Sequence, residues 1–291
     1  MLLVNNFCDQ TVLNNSLGML RFLLLSVGLS ISLNLPAADL NGADIGAALE
    51  AEEATSMAKK LSNPVADLIA VPIQYNFNRG MGADSNGRSQ NLVIQPVYPV
   101  NLPGGDNLII RPILTAYSLN NVNGLNGIGM GNVQIETFYS PKPTSSLIWG
   151  IGPYLSLPSG SQGRYGSEQT GVGITGVGLT QLGPWTIGLL FVRSWAAGGT
   201  AEYGTANNFY YQPFASYTTS SNWTFGLDTE STFNFDVRKS SNQINASISK
   251  LVMIGNQAIS LSFGPRYSAN AIPGGPQGWG ARAGVTFIFS K

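Results

Sequence analysis

Histidine is absent from this 291-residue chain. That removes the imidazole that most often serves as general acid–base near neutral pH, together with the commonest metal ligand. The single cysteine, Cys8, falls before residue 40, so a chain processed in that region carries no disulfide, no thiolate metal site and no thiol nucleophile. Charged residues make up only 10% of the sequence, against about a quarter of a typical soluble domain. Lys+Arg and Asp+Glu balance at 15 each, which gives no electrostatic footprint for nucleic acid. Beyond residue 40 no window holds the roughly 18 apolar residues that a transmembrane helix needs. Glycine (35) and aromatic residues (10%) are plentiful. Low charge without a spanning helix is unusual for a soluble protein and ordinary for a lipid-facing barrel.

The first segment, residues 1–38, reads as a leader. Arg21 precedes the apolar run Phe22-Leu23-Leu24-Leu25-Ser26-Val27-Gly28-Leu29, and Leu35-Pro36-Ala37-Ala38 supplies small residues for a signal peptidase. Cleavage is expected near Ala37 or Ala38, and Met19 is the more natural start because it places the basic residue at the beginning of the leader. The alternative is an uncleaved anchor, for which the apolar core is short. Residues 39–68 form a helix and linker. Ala, Leu, Glu, Met and Lys dominate from Ile45 to Leu61, and Asn63-Pro64 stops the helix because the residue before proline is pushed out of the α region. Two placements stay open: a helix solvated in the periplasm, or one docked at or inside a barrel mouth.

Residues 69–291 divide into about twelve strand-length segments whose connections alternate between long and short. The long ones lie near 79–88, 118–130, 158–170, 196–208, 233–243 and 268–278; the short ones lie near 102–107, 141–146, 182–184, 218–222 and 255–257. A closed antiparallel barrel in an outer membrane sorts its loops by parity in this way, and a soluble sandwich has no reason to. The expected fold is therefore all-β, a transmembrane antiparallel barrel of about twelve strands with a short N-terminal periplasmic helix. The glycine-dense stretch 171–181 leaves ten or fourteen strands open, since such strands specify register weakly.

Period-two alternation assigns the faces. Val71, Ile73, Tyr75 and Phe77 oppose Gln74, Asn76 and Asn78; Ile135, Thr137 and Tyr139 oppose Gln134, Glu136 and Phe138; Ala281, Ala283, Val285, Phe287 and Phe289 oppose Arg282, Gly284 and Thr286. The polar faces are rich in Gly, Ser, Thr, Asn and Gln with charges scattered singly, which suits a water-containing lumen rather than a solvated sheet surface. Trp149, Trp185 and Trp223 sit just after short turns, and Tyr98, Tyr139 and Tyr217 just before them, forming an aromatic girdle at one interface. Trp195, Tyr267 and Trp279 flank long loops and supply the opposite girdle.

Heights along the strands group the inward charges. Arg111 and Glu136 lie about four residues above the short-turn end of adjacent strands, and Glu230, Arg266 and Arg282 about seven or eight above it. Arg111, Arg266 and Arg282 balance Glu136, Asp228 and Glu230, so an open pore is expected to be weakly ion-selective. Asp228 and Glu230 face the same way and resemble a carboxylate pair, but an ion-pair network explains them without catalysis. The Asp and Asn of the loops lack calcium-loop spacing, the glycines lack a nucleotide-binding context, and no metal or cofactor is expected. Arg164 and Arg193, in or near long loops, could reach lipopolysaccharide phosphates or simply be solvated.

The closing run Arg282-x-Gly284-x-x-Phe287-x-Phe289 resembles the signal by which the barrel-assembly machinery recognises a last strand, although Ser290-Lys291 follow where many barrels end on the aromatic. More of the chain resembles the outer-membrane barrel family named for the MetA pathway of phenol degradation, often labelled after neuromedin U. The stretches that carry the resemblance include Asn63-Pro64-Val65-Ala66-x-Leu68-Ile69-x-Val71-Pro72-x-Gln74, Ile94-Gln95-Pro96-Val97-x-Pro99, Gly183-Pro184-Trp185-Thr186, Gln212-Pro213-Phe214-x-Ser216-Tyr217 and Gly264-x-Arg266-Tyr267. The resemblance implies the fold and the outer-membrane compartment, and by association the passage of small, hydrophobic or aromatic molecules.

The sequence thus leads to the expectation of an exported bacterial outer-membrane barrel. It would act as a passive channel or transporter for a small molecule of unknown identity, in contact with outer-membrane lipid and lipopolysaccharide. The alternative is a structural or surface-interaction barrel with its lumen closed by side chains. A membrane enzyme is disfavoured by the lack of histidine.

Overall fold

A computed structural model describes residues 42–161, 165–202 and 204–289; the leader with its cleavage point, Met19, Arg164, Ser290 and Lys291 lie outside the described residues. The chain divides into two compact units, and the packing described below lies within the second, Gly46–Lys291.

Twelve strands form one antiparallel sheet. They are β1 (Ile69–Met81), β2 in two pieces (Gly87–Ile94 and Tyr98–Asn101), β3 (Asn107–Val122), β4 in two pieces (Leu125–Met130 and Gln134–Ser140), β5 (Leu147–Ser156), β6 (Glu168–Leu182), β7 (Trp185–Thr200), β8 (Asn208–Thr218), β9 (Trp223–Asn234), β10 (Lys239–Ile254), β11 (Gln257–Asn270) and β12 (Gly278–Phe289). Each pairs with its neighbour in sequence, and β1 pairs with β12 from Ile69↔Phe289 to Phe77↔Ala281, which closes the sheet into a barrel. Closure leaves no sheet edge with unpaired backbone groups. The break in β2 falls at Pro96, which has no N–H to give the ladder. Pairing resumes at once, because Val97 and Ala70 exchange backbone hydrogen bonds at 2.8 and 3.2 Å.

Loop lengths sort by end only in part: one end has connections of two to six residues (102–106, 141–146, 183–184, 219–222 and 255–256), and the other mixes long connections with short ones at 82–86, 123–124 and 235–238. At one end β6–β7 and β10–β11 turn through Gly183-Pro184 and Gly255-Asn256, where each glycine holds a positive φ (53° and 59°). The other end carries the longer connections over residues 157–167 and 201–207.

One sequence expectation needs correction, and two open readings are resolved. The connection expected near 118–130 is largely strand, because β3 and the first piece of β4 form a hairpin with Val122 opposite Leu125. Asn123 and Gly124, at φ 52° and 76°, make the tight left-handed turn that an Asn-Gly pair favours between two strands. The glycine-dense stretch is one continuous strand, β6; Gly176 gives up its side chain to the Phe191 ring, which lies 2.6 Å from where a Cβ would stand. Arg193 lies near the long connections rather than in one, its Nη2 donating to Asn207 Oδ1 at 2.9 Å. It lies in β7, its guanidinium 4.6 Å from the Trp195 ring and 4.1 Å from the Phe235 ring.

Helix α1 (Gly42–Lys60) precedes the barrel. Its C-terminal half packs on the short-turn end: Ala58 is buried with Leu251, Ala258 and Ile288, and Ala54, Met57 and Leu61 pack against them. Thr55 Oγ1 donates to Asn222 Oδ1 at 2.6 Å in the β8–β9 turn, and Lys59 Nζ donates to Gly183 O at 2.6 Å in the β6–β7 turn. The helix thus crosses from one set of turns to another. Past its end, Asn63 Oδ1 accepts from Val65 N at 3.0 Å, a local turn that directs the chain inward.

Candidate functional site

Strand alternation sends one side chain in two into the lumen, and closure of β12 on β1 fixes which ones meet. Asn76 and Arg282 are register partners across that seam, and Arg282 is also flanked by β11. Arg282 Nε and Arg266 Nη1 both donate to Asn76 Oδ1, at 2.7 and 2.6 Å. Glu230, from β9, bridges the same two arginines: its Oε1 accepts from Arg282 Nη2 at 2.7 Å and its Oε2 from Arg266 Nη2 at 2.8 Å. Asp228 stands further off, 4.0 Å from Arg282 Nη1, and its Oδ1 accepts from Gln212 Nε2 at 3.1 Å and Asn245 Nδ2 at 2.8 Å. One carboxylate forked between two guanidiniums, with an amide oxygen capping both, is a strongly charge-assisted arrangement. The two carboxylates are engaged with cations and amides rather than with each other.

The remaining two charges form a separate pair. Arg111 on β3 is the register partner of Glu136 on β4, with Nε 3.6 Å from Glu136 Oε2. In a ring of twelve strands β3 and β4 lie six places from β9 and β10, so this pair faces the Glu230 cluster across the lumen. Among the described residues no three His, Cys, Asp or Glu side chains converge on a metal-sized site.

Part of the inner wall is apolar, beside the Gly, Ser, Thr, Asn and Gln expected from the sequence. Ile109, Phe138, Val177, Leu179, Leu190 and Val192, from β3, β4, β6 and β7, are buried together, and Val65 inserts among them from the linker after α1. Ile148, Phe214, Tyr154 and Tyr210 pack against the cluster. Gly188 leaves the room that this packing needs: a Cβ there would stand 2.6 Å from both Leu179 Cβ and Phe214 Cζ. Opposite, β9 to β12 present mainly Ser, Thr and Gly with the charged cluster. The lumen is two-faced, and the apolar face holds the entering chain.

Space remains along the barrel in three adjoining chambers that share lining residues. The first, about 420 Å³, lies against Ala58, Leu61 and Asn63 and reaches Asp228, Glu230 and Arg282. The second, about 380 Å³, shares Gln74, Arg111, Tyr210, Glu230 and Arg282 with it. The third, about 200 Å³, shares Thr115, Tyr117 and Tyr154 with the second and extends to Tyr165, Ser167 and Thr205 near the long connections. The charged groups therefore stand at the junction of the first two chambers.

The outer surface carries the aromatics. Trp149, Trp185, Trp223, Tyr98, Tyr139 and Tyr217 are all exposed near the short-turn end. Trp185 and Tyr217, register partners, stand edge to face at 5.0 Å. Tyr267 and Trp279 pair at 5.0 Å at the other end. In the closing run, Arg282 and Gly284 point into the lumen, while Phe287 and Phe289 point outward.

Sequence reasoning grouped the six charged residues but missed Asn76, Gln212 and Asn245 as their partners. It also missed Val65 as a wedge and Tyr117, Tyr154 and Tyr210 as chamber walls. Asn76 was visible on the inward face; what tied it to Arg282 was the pairing of first and last strands.

These features define a closed twelve-stranded barrel of the outer-membrane type. Solved structures of similar fold include outer-membrane channels as well as outer-membrane phospholipase and LpxR barrels. The fold is similar to the outer membrane channel from Pseudomonas putida F1, with a TM-score of 0.59 and 14% identity over 76% of this chain and 96% of that one. It is also similar to the KdgM porin solved with disordered oligogalacturonate (TM-score 0.48, 12% identity, 76% and 99% covered). The NanC porin matches with a TM-score of 0.48 and 14% identity, covering 76% of this chain and 100% of that one. No protein-family model matches the chain, and no curated protein matches it.

Proposed function

We propose that this chain is a passive outer-membrane channel for small molecules, with the short-turn end and α1 in the periplasm and the longer connections outside. The observation that carries the reading is the file of three adjoining chambers from α1 to the long connections, with Glu230 and Arg282 lining both of the first two. The fold shared with the Pseudomonas putida channel supports the same class. The resemblance to the MetA-type barrels, together with the apolar part of the lumen wall, supports small, partly hydrophobic or aromatic solutes as cargo.

On this reading the two sets of outward aromatics sit at the membrane interfaces, where amphipathic rings are favoured. The assembly machinery reads Arg282, Gly284, Phe287 and Phe289, and export uses the leader. A second reading, a structural barrel closed by side chains, draws on the Glu230 bridge and on Val65. An enzymatic role would need a base other than histidine, and Asp228 and Glu230 are already committed to Arg282 and to amides. Swelling of proteoliposomes in arabinose tests the proposal. Swelling well above that of protein-free liposomes is expected, and equal rates would contradict it.

A further inference from the structure

We infer that the Arg111–Glu136 pair is a recognition site for a small zwitterion, an α-amino acid with an apolar side chain. The inference rests on the channel reading and names the solute class for its second chamber.

The six lumen charges divide into committed and uncommitted groups. Arg266 donates through Nη1 and Nη2, and Arg282 through Nε and Nη2, to Asn76 and Glu230, which leaves Arg266 Nε as a buried nitrogen without a partner. The nearest approach of Arg111 to Glu136 is Nε to Oε2 at 3.6 Å, too long for a hydrogen bond. Those two facing atoms are buried and unpartnered. The terminal nitrogens of Arg111 and the second oxygen of Glu136 have no hydrogen-bond partner among the described residues, and both residues line the chamber of about 380 Å³. Glu136 is almost wholly buried (3% exposed), so its charge is held in a setting where an unmet hydrogen-bonding group is costly.

A guanidinium edge beside a carboxylate oxygen presents donors next to an acceptor. The complement is a solute with a carboxylate next to an ammonium group: the carboxylate takes the two N–H donors of Arg111, and the ammonium donates to Glu136. Signs alternate around the four groups, so each charge has opposite neighbours. A lone anion would meet Glu136 at close range, and a lone cation would meet Arg111. Part of the chamber wall suits an apolar body, with Ile113, Val192 and the rings of Tyr154 and Tyr210, while another part carries Asn76, Glu230, Arg266 and Arg282. The hydroxyls of those tyrosines already donate to Gln134 and Gln212, which leaves their rings to the solute.

The test is uptake of radiolabelled valine into proteoliposomes carrying the full mature chain, with arabinose as the neutral reference. Valine uptake should saturate while arabinose uptake stays linear. N-acetylvaline, which lacks the ammonium, and valinamide, which lacks the carboxylate, should compete about tenfold less well than unlabelled valine, as loss of one charge-assisted contact implies. Arg111→Met and Glu136→Gln should each remove saturation of valine uptake. Linear valine uptake with normal arabinose entry, or equal competition by all three compounds, would overturn the zwitterion site and leave the channel intact. Entry of neither solute above protein-free liposomes would overturn both.

Discussion

Asn76 and Arg282 face each other across the seam where the first and last strands meet, and Arg282 Nε donates to Asn76 Oδ1 at 2.7 Å. Because Arg266 donates to the same oxygen at 2.6 Å, one amide ties β1 to β11 and β12 at the point of closure. Asn76→Ala would leave two buried guanidinium donors short of an acceptor, at a cost of about 1–3 kcal/mol. The expected outcome is a lower temperature for the loss of heat-modifiable gel mobility. An unchanged transition would show that the seam does not depend on this residue.

Glu230 holds two guanidiniums with one carboxylate. Glu230→Gln turns three lumen arginines against three carboxylates into three against two, so the pore should shift toward anions. Reversal potentials in a salt gradient measure this, and a fall of several degrees in thermal stability should accompany it. A variant with unchanged selectivity and stability would remove the charge cluster from the account.

Val65 is 3% exposed and packs among Ile109, Phe138 and Leu190. Val65→Ala gives up contacts worth about 1–2 kcal/mol, weakening the hold of the linker on the apolar wall. Faster proteolysis between α1 and β1 is expected, with noisier single-channel current. Identical cleavage kinetics would mean that α1 alone anchors the segment.

Asp106, in the turn between β2 and β3, accepts from Tyr139 Oη at 2.5 Å and from Lys142 N at 2.9 Å. These bonds, that from Tyr139 first, favour the ionised carboxylate and hold its pKa below the ordinary value of 3.8. A depressed carboxylate contributes its share of stability above its unfolded pKa and loses it as pH falls through the folded one. That window lies below about pH 4, so the turn should be insensitive to neutral pH. Tyr139→Phe should return the Asp106 titration, followed by NMR, toward 3.8; no upward movement would contradict the assignment.

The fold was legible because its signals repeat: turns alternate with long connections, and inward and outward residues alternate within strands such as Ala281 to Phe289. The Asn123-Gly124 turn was misread because it sits inside a polar stretch that resembles a loop, although its type of turn joins two strands. The grouping of the charges followed from counting heights along strands, which works because each residue advances a strand by a fixed rise. Depth says nothing of hydrogen-bond partners, so the distinction between a bridged Glu230 and a loosely paired Glu136 needed the packed barrel. The apolar part of the wall was hidden for a related reason. Phe138, Leu179 and Leu190 each look like an exception on a polar face until closure brings β4, β6 and β7 round the same segment at Val65.

The central claim is that the chambers form a conducting path partly obstructed by α1. Single-channel conductance of the purified mature protein in a planar bilayer, with and without residues 39–62, tests it most directly. Steady openings in the full chain and a larger conductance after the deletion are the expected results, since Thr55, Ala58 and Lys59 no longer hold a helix across the mouth. Silence in both proteins would contradict the account and leave a barrel closed by its own side chains.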